Sequence, residues 1–308
     1  MSKNVIVIGG PTASGKSSLA IDLALEIGGV IINADASQVY RGIPVISAAP
    51  TAEDKLLADH RLYEYLDAAV NGNVVMWLED AVKTIRQVWK EEKTPIVVGG
   101  GGLYLDNLIN GTTPIPEIRA EVRREVIELL KAHDTGFVYD KLKSVDPQGA
   151  EMVNPNDTTR VRRAYEIFLS SGKSIADWFK QSMVKKLPEA DFLTVLLFPE
   201  KNVIDERCDI RFDKMISDGA IDEVKYLLSR NLDPKLPAMK AQGVPEISQA
   251  IYGNISLNEA IDLSKVHTHQ YAKRQLTWFR NKMRADMVLN ECYNRQIDFL
   301  NDVKKQYK

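Results

Sequence analysis

VIVIGGPTASGKS, residues 5–17, joins a short β-branched run to a glycine-rich turn, and LAIDLALEIG from Leu19 to Gly28 follows with apolar residues at helical spacing. A brief apolar run bounded by glycine reads as a buried strand, and the 3.6-residue period after it reads as a helix. Strand, turn and helix in that order open a βα unit on a parallel sheet. The turn, Gly10-Pro11-Thr12-Ala13-Ser14-Gly15-Lys16-Ser17, matches G-x-x-x-x-G-K-[ST] with a strand before it and a helix after it, the two contexts a P-loop requires. Its backbone N–H groups and the helix N-terminus offer partial positive charge to a diphosphate. Lys16 adds a full charge, and the Ser17 hydroxyl is placed to ligate magnesium.

Working outward, VIINAD from Val30 to Asp35 reads as a second strand, Val75 to Glu92 as an amphipathic helix, and PIVVGG from Pro95 to Gly100 as a third strand running into four glycines, Gly99 to Gly102. From Ile115 to about Leu187 the pattern turns to charge-rich helices, and Leu193 to Phe198 restores a strand. The expected fold class is α/β, a P-loop parallel-sheet core with a mainly helical insertion subdomain and a helical C-terminal region. The expected divisions are 1–114 for the first part of the core, 115–188 for the insertion, and 189–308 for the rest of the core with a basic helical end. No internal repeat is visible.

The 308 residues, 44% hydrophobic and 27% charged, suffice for a large core without a disulfide or metal scaffold. No apolar run nears the roughly 18 residues of a membrane span. The N-terminus enters a folded motif at once, so a cytoplasmic protein without a membrane association is the expectation. A monomer is expected as well. Cys208 and Cys292 belong to no CxxC pair and read as reduced core thiols. The net charge of −2 signals no polyanionic partner, but two basic knots stand out: Arg160, Arg162 and Arg163, and the acid-free run holding Lys273, Arg274, Arg280, Lys282 and Arg284.

A P-loop says what is held, not what is done with it. A nucleotide-hydrolysing machine usually has an apolar strand ending in a magnesium-binding aspartate, yet the strand from Pro95 ends in glycines. The acid lies instead at Asp35, at the carboxyl end of the sheet where α/β ligands bind, and is a candidate general base. In order along the chain, GPTASGKS, NADASQVYRG at Asn33 to Gly42, PIVVGGGGLY at Pro95 to Tyr104, NPNDTTRVRRAYE at Asn154 to Glu166 and QYAKRQLTWFR at Gln270 to Arg280 together resemble the tRNA dimethylallyltransferases, also called tRNA isopentenyltransferases.

That resemblance implies transfer of a dimethylallyl group from dimethylallyl diphosphate to N6 of adenosine 37, beside the anticodon, in tRNAs reading codons that begin with U. The products are N6-(dimethylallyl)adenosine and diphosphate, and Mg2+ is the implied cofactor. By resemblance Asp35 is the base, while Lys16, Ser17 and Arg211 face the diphosphate leaving group. Contacts to the tRNA anticodon stem-loop are implied for Asp35, Ala36, Ser37, Gln38, Gly101 and Arg123, and for Thr159, Arg160, Val161, Arg162 and Arg163 on the insertion. Arg41 is close enough in sequence to join the grip on the flipped nucleotide.

The chain departs from the pattern at three places. Gly101 replaces the usual threonine of GGTGLY, which loses a hydroxyl and suggests a looser loop. Ile46-Ser47-Ala48-Ala49-Pro50 replaces GTAKP, and His269 stands where arginine is common. His267 and His269, two apart, do not share a helix face and read as no zinc site. Two rival readings remain: a small-molecule or nucleotide kinase with a helical lid, betrayed by ATP turnover without tRNA, and a non-catalytic RNA-binding protein, for which intact Lys16, Ser17 and Asp35 would be idle.

Overall fold

The computed structural model describes residues 3–296 and 298–307. They form two compact units, Asn110–Lys186 and the remainder, each with its own apolar core.

The larger unit is built on six strands: β1 (Asn4–Gly9), β2 (Gly29–Asn33), β3 (Asp59–Arg61), β4 (Thr94–Gly99), β5 (Asp191–Leu197) and β6 (Met287–Leu289). Every pairing is parallel, in the order β3-β2-β4-β1-β5-β6. Parallel neighbours require crossover connections, and these place helices on both faces, which is why the middles of the central strands are mainly Val, Ile and Leu. Alternation splits β1 cleanly. Ile6 and Ile8 pack with Leu19 and Leu23 of α1 (Lys16–Ile27), whereas Val5 and Val7 join the opposite layer with Trp77, Leu78 and Ile85 of α3 (Val74–Lys90). Each such side chain contributes about 2 kcal/mol when fully buried. Between α1 and α3 lies the short α2 (Ala52–Leu57), closed at its start by a reciprocal Thr51–Asp54 capping box.

After β4 comes α4 (Gly102–Asn110). After β5 come α10 (Lys201–Ser217), α11 (Ala220–Ser229), α12 (Val244–Ile251) and the long α13 (Leu257–Lys282), and α14 (Phe299–Tyr307) packs Phe299 and Val303 beside α1. The edge strands β3 and β6 are not signalled in the sequence: each is three residues long, and Asp-His-Arg has no apolar alternation to read. β2 is shorter than the VIINAD run suggests. It stops at Asn33, and Asp35 lies two residues beyond it, in the turn rather than on the strand.

The smaller unit holds α5 (Ala120–Ala132), α6 (Thr135–Val145), α7 (Pro147–Glu151), α8 (Thr158–Ser171) and α9 (Ile175–Phe179) around Val122, Val126, Val138, Leu142, Val161 and Ile167. Asp134, Asp146, Asp157 and Ser174 cap four of these helices through their side-chain oxygens, each cap worth about 1 kcal/mol. An antiparallel bridge between Thr112 and Val184 ties the two chain ends of the unit together. Among the described residues, no helix is long and apolar enough to cross a membrane.

Candidate active site

The carboxyl ends of β1, β2 and β4 converge, and each feeds one part of the site. From β1 the chain enters the loop Gly10–Gly15 and then α1. Gly15 is left-handed at φ 91°, and a Cβ there would lie 2.5 Å from the Tyr293 carbonyl oxygen, so only glycine fits. Ala13 is left-handed too, at φ 61°. The loop is held from several sides. The Thr12 N–H donates to Gln275 Oε1 (2.8 Å), the Ala13 carbonyl accepts from Arg207 Nε (2.9 Å), and the Ser14 carbonyl accepts from the Tyr293 N–H (3.0 Å). Arg211 Nη2 donates to the Thr12 hydroxyl, and Lys16 Nζ donates to the Pro11 carbonyl at 2.5 Å. The Ser14 side chain is buried without a partner, whereas Ser17 is exposed in the first turn of α1.

From β2 comes the turn that carries Asp35. The Asp35 N–H donates to Asn33 Oδ1 (2.8 Å), Asn33 Nδ2 donates to the carbonyls of Asp35 (3.1 Å) and Leu62 (3.0 Å), and Asp35 Oδ1 accepts the Ser37 N–H (2.9 Å). These bonds fix the carboxylate through Oδ1, the carboxylate oxygen that is hydrogen-bonded. From β4 come the glycines, and they are not slack. A Cβ at Gly99 would sit 2.2 Å from the Ala34 carbonyl oxygen, at Gly101 2.6 Å from the same oxygen, and at Gly102 2.1 Å from the Trp278 ring. The expectation of a looser loop at Gly101 is therefore corrected: its N–H donates to Ala34 (3.1 Å), and absence of a side chain lets the two segments touch. Gln275, buried on α13, joins loop and glycines, because its Nε2 donates to the Gly100 carbonyl (2.9 Å) while its Oε1 accepts from Thr12.

These elements enclose a cavity of about 550 Å³ lined by the loop from Thr12 to Ser18, Asp35, Gln38, Tyr63, Gly100, Arg207, Arg211, Lys214 and Gln275. A narrower space of about 50 Å³ adjoins it, with Thr12, Asp35 and Arg211 lining both and Ser37, Phe212 and Tyr271 lining the second. Asp35 thus stands at a constriction. Burial drives the Lys16 ammonium down to about 7, with Asp35 opposing and Arg211 reinforcing. Burial also lowers Arg211, against the pull of Cys208 and Asp35. The phenols of Tyr63 and Tyr271 are raised by burial and then by the negative field of Asp35, and Tyr104 is pushed up to about 12 by burial, with Tyr40 and Asp35 adding to it. Cys208 is raised by burial to about 11 and Cys292 is raised likewise, so neither thiol is a nucleophile at neutral pH.

The structure brings Gly10 to Ser17, Asp35, Ser37, Gln38 and Arg211 together. Ala36 is exposed beside them, and Gly101 packs on Ala34. Gln38 donates its amide to the Ser47 and Ala48 carbonyls, and Arg41 donates Nε and Nη2 to the Glu64 and Tyr65 carbonyls, which braces that loop. Thr159, Arg160, Arg162 and Arg163 lie on α8 and Arg123 on α5, all in the smaller unit. The Val161 side chain is fully buried in that unit's core, which leaves only its backbone for the expected tRNA contact. Gln275, Tyr63, Tyr104, Tyr271 and Arg207 were not singled out from sequence. Gln275 and Tyr271 lie inside QYAKRQLTWFR and Tyr104 closes PIVVGGGGLY, while Arg207 precedes Arg211 by one helical turn; Tyr63 has no local signal. His267 pairs with Glu246 (2.5 Å) and His269 with Asp209 (2.7 Å), and no His/Cys/Asp/Glu cluster able to hold a metal occurs among the described residues.

A parallel sheet with a glycine-lysine loop and a fixed carboxylate at its carboxyl edge defines an α/β protein built around a phosphate-bearing ligand. Residues 38–282 match the IPP transferase family, and the chain belongs to that family. It is 39% identical over 280 residues to the tRNA dimethylallyltransferase of Nitrobacter hamburgensis, covering 91% of this chain and 88% of that one. It is 43% identical over 278 residues to the tRNA dimethylallyltransferase of Rhodopseudomonas palustris strain BisB5, covering 90% and 86%. Among solved structures it superposes on the full-length tRNA isopentenylpyrophosphate transferase of Bacillus halodurans with a TM-score of 0.70 at 30% identity, covering 99% of this chain and 95% of that one. On a eukaryotic dimethylallyltransferase acting on tRNA the TM-score is 0.82 at 29% identity, covering 94% and 74%.

Proposed function

We propose that this protein transfers the dimethylallyl group of dimethylallyl diphosphate to N6 of adenosine 37 in tRNAs reading codons that begin with U, releasing diphosphate. The observation that carries the reading is the shared cavity in which Asp35, held through Oδ1, faces the phosphate-binding loop, Lys16 and Arg211. An exocyclic adenine amine is a weak nucleophile because its lone pair is delocalised into the ring. As its bond to the allylic carbon forms and the carbon–oxygen bond to diphosphate breaks, Asp35 Oδ2 takes the N6 proton, a step worth roughly 10²- to 10⁴-fold. The electron pair leaves with the diphosphate, and the loop N–H groups, Lys16 and Arg211 stabilise that charge where it develops.

The donor set fits Mg2+, which is held by few protein oxygens and several phosphate oxygens and waters. The exposed Ser17 hydroxyl on the cavity wall would hold it, and when bound it would neutralise charge on the diphosphate. The target base has to leave the anticodon stack to reach this cavity. Thr159, Arg160, Arg162, Arg163 and Arg123 are assigned to the tRNA backbone, and the insertion that bears them is the assigned tRNA-contacting part of the chain. The test is incubation with tRNA, magnesium and dimethylallyl diphosphate followed by nucleoside mass at position 37. A dimethylallyl mass increase supports the reading. No increase, together with ATP turnover in the absence of tRNA, replaces it with a kinase.

A further inference from the structure

We propose that Arg207 is a second diphosphate-binding arginine, which holds the phosphate-binding loop in shape through Nε and presents its terminal nitrogens to the leaving group. The proposal rests on the dimethylallyl transfer reading. Arg207 and Arg211 are one turn apart on α10 and line the same cavity wall. The Nε of Arg207 donates to the Ala13 carbonyl at 2.9 Å, and no terminal nitrogen of this side chain has a partner among the described residues. Ala13 is the one left-handed non-glycine residue of the loop, a strained conformation that persists only where neighbours impose it. Carbonyl and following N–H point in opposite directions across a planar trans peptide. A bond that pins the Ala13 carbonyl therefore pins the direction of the Ser14 N–H as well.

The charges in the cavity call for such a group. Of the four cations on its wall, Lys214 is paired with Asp218 at 2.8 Å, Arg211 is bonded to the Thr12 hydroxyl, and Lys16 is half-neutral near pH 7 through burial. Arg211 keeps its Nη1 and buried Nε unpaired as well, but Arg207 is the one of the four with both terminal nitrogens without a partner among the described residues while its Nε holds the loop. A guanidinium can serve a carbonyl through Nε and phosphate oxygens through its terminal nitrogens at once, which a single ammonium cannot.

The experiment is calorimetric titration of inorganic pyrophosphate with magnesium into wild type, Arg207→Met and Arg207→Lys, alongside anticodon stem-loop binding and thermal unfolding of each. The expected result is pyrophosphate affinity about 10- to 100-fold weaker in Arg207→Met and at least about fivefold weaker in Arg207→Lys. Stem-loop affinity should stay unchanged and the unfolding midpoint should fall only slightly, from loss of the Nε–Ala13 bond, a pattern that a purely structural role would not produce. Either variant within twofold of wild type for pyrophosphate, or loss of affinity accompanied by equal loss of stem-loop binding, overturns the proposal. A wild-type protein that binds no pyrophosphate removes the diphosphate reading of the whole cavity, a result distinct from failure of Arg207 alone.

Discussion

Lys16 and Asp35 are placed in opposed roles by the same cavity. Burial lowers the lysine to about 7, so its free form loses the proton as pH rises through that value. Diphosphate favours the charged lysine, and binding above pH 7 must therefore take up a proton, with affinity full below about 7 and falling roughly tenfold per unit above it. Titration of pyrophosphate in two buffers of different ionisation enthalpy should report that uptake in wild type and lose the same component in Lys16→Arg, whose guanidinium stays charged. An identical uptake in both would move the titration to some other group. Asp35 is oriented through Oδ1 and is proposed to act through Oδ2, so Asp35→Asn keeps the Ser37 bond while removing the proposed base. The expected outcome is a single-turnover rate lowered roughly 10²- to 10⁴-fold with stem-loop binding retained. Equal losses in rate and binding would make the residue a contact rather than a base.

Among the elements, β4 with its glycine run is where local sequence reading and packing part. Four consecutive glycines look like freedom, yet three of them exist because Ala34 and Trp278 approach too closely for a Cβ. The common threonine at Gly101 would bring its Cβ 2.6 Å from the Ala34 carbonyl oxygen. Gly101→Thr should therefore destabilise by about 1–3 kcal/mol and slow transfer, rather than restore a missing contact. Thermal unfolding and single-turnover rates check it, and a faster or more stable variant would show that the turn has room. What was legible in the sequence was local: the strand, loop and helix around Gly10 to Ser17, and the carboxylate at Asp35, because both follow from neighbours within a few residues. The Gln275 bridge joins residues 263 and 175 positions away in the chain, and a buried glutamine on a helix carries no sign of which carbonyl it will meet. The three-residue edge strands were invisible for a related reason, since pairing with a neighbour, not composition, makes them strands.

For the whole molecule, a net charge of −2 conceals an uneven distribution, and the smaller unit is where tRNA affinity is expected to concentrate. On α8, Val161 packs in that unit's core while Arg160 and Arg163 are exposed, so within one motif Val161 serves stability and the arginines carry the proposed contact. Arg160 is within 3.4 Å of Asp157, an exposed pair that contributes little to folding and can exchange its partner for a phosphate. Replacing Arg160 and Arg163 by alanine should weaken stem-loop binding and reduce the slope of log affinity against log salt by about 1 to 2, since each lost phosphate contact releases roughly one counterion fewer. Pyrophosphate binding in the larger unit should be unchanged by the pair. Val161→Ala should do the reverse, lowering the unfolding midpoint through a core cavity while leaving the salt slope intact. Measured together, the two variants separate phosphate contact from fold. A salt slope that the arginine pair leaves unaltered would confine tRNA recognition to the larger unit, where Lys273, Arg274, Arg280 and Lys282 on α13 would be the next cations to replace.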